Sequence, residues 1–190
     1  MMIESAVSFE RRTIYIMGEV DPELARKVII ALEALDREPG EIRVFMNCEG
    51  GNEEDGYAIY DALNMCQNPV RMEGYGNICS IAAAIFQAGD VRQLAPNSTF
   101  MIHNGTVAGE ERMQQNQVVD MAEQIRKDNQ KYYDILSAGS QQPQETIEAW
   151  CREEKYFTAD EAVEAGFADQ VIPPLKTKSP PKKRRKRKIT

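Results

Sequence analysis

The only histidine among 190 residues, His103, closes the apolar run Thr99-Phe100-Met101-Ile102. Upstream, Ser80 stands between Gly76-Asn77-Ile78-Cys79 and the small-residue run Ile81-Ala82-Ala83-Ala84. A serine hydroxyl is a poor nucleophile at neutral pH until an imidazole takes its proton. A serine at a strand-to-helix turn and a histidine ending a strand are therefore parts of an acyl-transfer site. Backbone donors for an oxyanion are also at hand. The Ile81 amide lies at the start of the predicted helix, and the Gly50-Gly51 turn can bring a second N–H close, since glycine accepts unusual dihedrals and blocks nothing. On spacing alone the pair is weak evidence, because a lone histidine is more often structural. The surrounding elements carry the rest.

Thr13 to Met17, rich in β-branched and aromatic residues, reads as a strand. Asp21 and Pro22 supply an N-cap and a first-turn proline, after which Leu24, Val28, Ala31, Leu32 and Leu35 share one helical face. Pro39-Gly40 turns the chain into a second strand, Ile42 to Met46. A helix over about Glu53 to Cys66, a strand over Val70 to Glu73 and a helix from Ser80 follow. This alternation predicts an α/β fold with parallel strands and right-handed crossovers. From Glu110 to Ser137 there is neither proline nor glycine, and Val118, Met121, Ala122, Ile125, Tyr132 and Leu136 form a narrow apolar stripe. A helix so long and polar predicts a second use of that stripe in subunit contact. Gly139 and Gln141-Gln142-Pro143 are expected to end it, and another helix to run from Thr146 to Cys151.

An apolar fraction of 42% over 190 residues suits one domain with a real core, residues 1–174, followed by a basic tail, 175–190. Lys176 to Thr190 holds nine basic residues and no acid, which leaves 14 basic against 30 acidic residues in the body, a charge of −16. That body is unsuited to nucleic acid; the tail, unable to bury a core, is predicted to be disordered and is a candidate tether to nucleic acid or acidic protein. No run approaches the ~20 apolar residues of a membrane span, and no signal peptide is visible at the N-terminus. Cys48, Cys66, Cys79 and Cys151 lack the close pairing of a zinc site, and with one histidine no metal and no cofactor are expected. The cysteines read as free thiols of a cytoplasmic protein.

In order and spacing, four runs resemble the ClpP-type caseinolytic serine proteases. They are Met46-Asn47-Cys48-Glu49-Gly50-Gly51, the turn from Gly76 to Ile81, Pro96-Asn97-Ser98 to Met101-Ile102-His103, and Phe157-Thr158-Ala159-Asp160-Glu161-Ala162 through Gly166. The resemblance covers nearly the whole folded chain. It implies the crotonase-like spiral of βαβ units with a protruding handle helix, and a serine endopeptidase subunit working on unfolded proteins or short peptides. Ser80 would be the nucleophile, His103 the base, and Gly51 (with Gly50 as the alternative) and Ile81 the oxyanion donors. The family's triad aspartate falls on Glu154, whose carboxylate can orient an imidazole in the same way. Rings of seven subunits, single or double, and an AAA+ unfoldase partner are implied as well.

The chain also departs from the family pattern. Cys48-Glu49 replaces the usual Ser-Pro before the two glycines, Arg152-Glu153 reverses the charge order of a pair at the ring contact, and the first strand starts early, leaving little room for axial loops. A phage capsid-maturation protease of the same kind, an impaired structural ring subunit, and a crotonase-type acyl-CoA enzyme are the alternatives. No phosphate-binding Gly-x-x-x-x-Gly-Lys-Ser/Thr loop is present, so any ATP is spent by a partner.

Overall fold

A computed structural model describes residues 7–106 and 114–173. The basic tail, the first six residues and the beginning of the Glu110–Ser137 stretch lie outside the described residues. The elements run β1 (Val7–Ser8), β2 (Thr13–Val20), α1 (Pro22–Leu35), β3 (Ile42–Gly51), α2 (Glu53–Asn64), β4 (Val70–Cys79), α3 (Ile81–Phe86), β5 (Val91–Leu94), β6 (Thr99–Ile102), α4 (Gln115–Ser140), α5 (Gln144–Arg152), β7 (Lys155–Thr158), α6 (Ala159–Glu164) and β8 (Gln170–Val171).

Local chemistry sets the helix starts. Asp21 accepts the Leu24 N–H at 2.7 Å with Pro22 in the first turn, and Asn52 accepts the Asp55 N–H at 2.9 Å. Thr158 and Glu161 form a reciprocal capping box at α6. Val28, Ala31, Leu32 and Leu35 are buried as the helical spacing predicts, whereas Leu24 is only partly covered.

The parallel ladder β2-β3-β4-β5 is the frame of the sheet, with β8 beyond β5 and antiparallel β1 at the other edge. Strand β4 forks. Its first half, Arg71 to Gly74, pairs with β5, and its last three residues, Asn77 to Cys79, pair with β6. At the fork the Gly74 carbonyl accepts both the Ala95 N–H (2.8 Å) and the Ser98 hydroxyl (3.0 Å), so the chain between β5 and β6 is tied to β4 by polar bonds. Antiparallel β7 covers the far side of β6. Behind it Phe100 stacks on Phe167 at 4.9 Å, with Trp150 and Phe157 edge-on around them.

Strands β3 and β4 run past the predicted ends at Met46 and Glu73, because pairing with β2 and β6 recruits glycines and polar residues that have no strand preference of their own. Gly139 does not end α4. Any side chain there would lie 2.4 Å from the Gln87 Oε1, so glycine serves packing, and the helix stops at left-handed Gln141 (φ 59°). Only the second half of α4 is docked: Tyr132, Tyr133, Leu136 and Ser140 are buried, while Val118 and Val119 stand exposed. The protruding part of the predicted handle is this first half.

Candidate active site

Strand β4 delivers Ser80 and β6 delivers His103. The parallel pairing of Cys79 with Met101 fixes both ends, and the Ser80 N–H donates to the Met101 carbonyl at 3.0 Å. Ser80 has φ 58° and ψ −133°, a conformation that L-residues rarely hold; the turn is over-determined by the bonds around it. Its carbonyl accepts the Ala83 N–H at 2.8 Å and the Tyr132 hydroxyl at 2.8 Å. Ser80 stands at the start of α3, whose residues Ile81 to Phe86 are all buried. The His103 Nε2 lies 2.9 Å from the Ser80 Oγ. With Nε2 unprotonated, the imidazole can take the hydroxyl proton.

The glycine turn at the end of β3 closes on the same serine. Gly50 (φ 102°) is packed so closely that a β-carbon there would sit 2.6 Å from the Ser80 Cβ and 3.1 Å from the Oγ. The peptide joining Gly50 to Gly51 is therefore beside Ser80, as is the Ile81 amide that follows the serine. Gly56 of α2 has no room for a side chain against Ile81, which brings the first turn of α2 to the edge of the site.

Cys79 adjoins Ser80 in sequence, but burial pushes its thiol up to about 11, and desolvation raises Cys48 as well. These thiols stay protonated near neutrality and are poor nucleophiles. All four cysteines are free, and no group of ligands suited to a metal occurs among the described residues.

Glu154 stands one position beyond the last β6–β7 pair, Ile102 with Lys155, and so opposite His103. Its carboxylate is nevertheless turned outward, accepting the Tyr156 hydroxyl at 2.9 Å, and its backbone is left-handed (φ 51°). Among the described residues Ser80 is the only hydrogen-bond partner of the His103 ring. The register places Glu154 as expected; the rotamer does not bring it to the imidazole.

A small cleft of about 10 Å3, partly open to solvent, adjoins the pair and is lined by Glu53, Ser80, Ile81, His103, Gly105, Asn129 and Tyr132. Four of these, Glu53, Gly105, Asn129 and Tyr132, were not foreseen in these roles. Tyr132 had shown itself only as a member of the α4 apolar stripe, and Glu53 only as the start of a helix.

A serine hydroxyl in contact with an imidazole on a strained strand-to-helix turn, within a spiral of βαβ units, is an arrangement suited to a serine hydrolase. The match to known proteins narrows the class. The family model described as Clp protease covers residues 3–174, and the chain belongs to that family, whose proteolytic subunits are serine peptidases that assemble into rings. It is 30% identical to the ATP-dependent Clp protease proteolytic subunit 3 of Rhizobium johnstonii, over 86% of this chain and 85% of that one. It is 33% identical to the ATP-dependent Clp protease proteolytic subunit of Ligilactobacillus salivarius, over 85% and 83%. Among solved structures, a point mutant of ClpP1 from Listeria monocytogenes superposes with a TM-score of 0.79 at 25% identity, covering 88% of this chain and 94% of that one. The expected fold is borne out. No helix among the described residues is long and apolar enough to cross a membrane.

Proposed function

We propose that Ser80 is the nucleophile and His103 the general base of peptide-bond hydrolysis in this ring subunit. The 2.9 Å contact between the Ser80 Oγ and the His103 Nε2 carries this reading. As the Oγ attacks the scissile carbonyl, its proton passes to Nε2. The tetrahedral oxyanion is held by the N–H groups of Ile81 and Gly51 in the turn that closes on Ser80, with Gly50 as the alternative donor. Collapse expels the amine, which takes the proton from His103, and leaves Ser80 acylated. Water, deprotonated by the same imidazole, then releases the acid and restores the serine.

Glu154 would orient the imidazole once its carboxylate leaves Tyr156 and turns toward His103; its register position supports this. A slower serine–histidine dyad is the second reading, favoured by the Tyr156–Glu154 bond. The exposed first half of α4 is suited to joining two heptameric rings. A partner unfoldase would feed the chamber in the cytoplasm, where free thiols persist. The basic tail, 175–190, would tether nucleic acid or acidic protein by charge, and its repetition around a ring would raise avidity.

A fluorophosphonate probe followed by peptide mapping tests the catalytic assignment. Ser80 should carry the adduct, and Ser80→Ala should abolish peptide hydrolysis while light scattering still shows rings. Glu154→Gln should lower turnover by orders of magnitude for the triad and little for the dyad. Modification of a different serine, or an active Ser80→Ala protein, overturns the assignment.

A further inference from the structure

We infer that Glu53 makes the pocket beside Ser80 select a cationic side chain, lysine or arginine, on the substrate residue whose carbonyl is attacked. The inference rests on the peptidase reading and specifies its substrate class.

The first residue of α2, Glu53, follows directly on the turn that closes on the nucleophile. Glu54 and Asp55 share its helical turn, and all three suit the positive end of the helix dipole. Glu53 differs from them in place. Its carboxylate lines the pocket with Ser80, Ile81 and His103, and its Oε1 lies 2.6 Å from where a β-carbon on Gly105 would stand. Gly105 is itself anchored there, its N–H donating to the Asn129 Oδ1 at 3.1 Å.

No donor among the described residues satisfies this carboxylate. Among the described residues it accepts no hydrogen bond, and Lys131, whose charge acts on it, is bound to Asp128 at 3.2 Å. Burial raises the Glu53 pKa, the Asp128 carboxylate raises it further, and His103 and Lys131 act weakly the other way. Yet no polar side-chain atom among the described residues is both fully buried and unbonded, so the unpartnered oxygens reach solvent, on a residue that lines the pocket. A half-desolvated carboxylate without a partner gains most from a ligand that brings its own cation.

Position selects the substrate residue. During attack the acyl carbon must lie between the Ser80 Oγ and the Ile81 amide, both on the pocket wall. The side chain borne by that same residue is the one within reach of the pocket. An ammonium or guanidinium extended from it would meet the Glu53 carboxylate at the open side of this small cleft, where that carboxylate reaches solvent. An acidic side chain would meet repulsion from Glu53 and Asp128.

The full-length protein, offered a panel of fluorogenic peptides varying only at that residue, tests this. Lysine and arginine substrates should exceed the uncharged isosteres norleucine and citrulline in kcat/KM by about tenfold or more, the range of a charge-assisted hydrogen bond. Glu53→Gln should collapse that ratio to within about threefold of unity, and Glu53→Lys should reverse it toward glutamate peptides. A preference for norleucine in the unaltered protein, or a ratio indifferent to Glu53→Gln, overturns the inference. Labelling by a neutral fluorophosphonate separates the two levels. A protein that labels at Ser80 without cationic preference refutes the selectivity alone, and one that neither labels nor cleaves any peptide refutes the peptidase reading and this inference together.

Discussion

Gly50→Ala strikes Ser80, the proposed nucleophile, without removing a single atom of the proposed catalytic pair. The added methyl would lie 2.6 Å from the Ser80 Cβ, 3.0 Å from the Cys79 carbonyl oxygen and 3.1 Å from the Ser80 Oγ. Carbon atoms in contact prefer about 3.5–4.0 Å, so Ser80 or the glycine turn must retreat by about 1 Å. Ser80 cannot move cheaply, because its N–H and carbonyl are bonded to Met101, Ala83 and Tyr132. The backbone of residue 50, at φ 102°, adds about 1–3 kcal/mol of strain, and the overpacking adds about 1–3 kcal/mol. A displacement of this size at reacting atoms costs about 100-fold in rate. Gly18→Ala is the control: its φ of 85° imposes comparable strain, but nothing lies within 4 Å of the new methyl. Both variants should lose melting temperature, and only Gly50→Ala should lose turnover on a short fluorogenic peptide and rate of fluorophosphonate labelling. Turnover of Gly50→Ala within about threefold of the parent, against the 100-fold expected, refutes the packing argument. So does an equal loss in Gly18→Ala.

Tyr132→Phe removes the hydroxyl that bonds the Ser80 carbonyl, but the Ala83 N–H still serves that oxygen. Urea unfolding should show a loss of about 0.5–1.5 kcal/mol, with a several-fold fall in turnover as the turn loosens; unchanged stability and rate would show that the bond holds nothing. Asp36 accepts the backbone N–H groups of Gln67 and Asn68, which hold its carboxyl below the usual aspartate range. A depressed folded pKa means stability fully present above the unfolded value of about 3.9 and lost as pH falls through the folded one. Asp36→Asn should therefore flatten the acid limb of melting temperature against pH below about 4. An acid limb identical to the parent's would exclude Asp36 from that linkage.

How much of the site was legible depends on whether local chemistry or long-range pairing decides each residue. Asp21, Pro22 and the apolar spacing of α1 act within one helix, and the sequence reads them correctly. The ends of β3 and β4 do not follow from their own residues. Asn47 to Gly51 and Gly74 to Cys79 become strand only because neighbours accept their backbone bonds. Ser80 and His103 are conspicuous by type, yet their contact is made by the Cys79–Met101 register across 22 residues of intervening chain. Glu154 shows the limit of a motif. Alignment carries it to the position opposite His103, but the choice between the imidazole and the Tyr156 hydroxyl is a competition between side chains that no spacing encodes.

Glu53 shows the converse limit. In sequence it is indistinguishable from Glu54 and Asp55, three acids in one helical turn that all suit the dipole. What separates it is the absence of side chains around it. Gly50 lets the turn close on Ser80, Gly56 lets α2 settle on Ile81, and Gly105 leaves the space into which the carboxylate extends. Three glycines thus bring the start of α2 close to Ser80 and leave its first acid lining the cleft that Ser80 and His103 border. The same packing that forms the oxyanion turn therefore determines which residue borders it. A change in the identity of residue 53 can alter what the pocket accepts while Ser80, His103 and the backbone donors stay where they are.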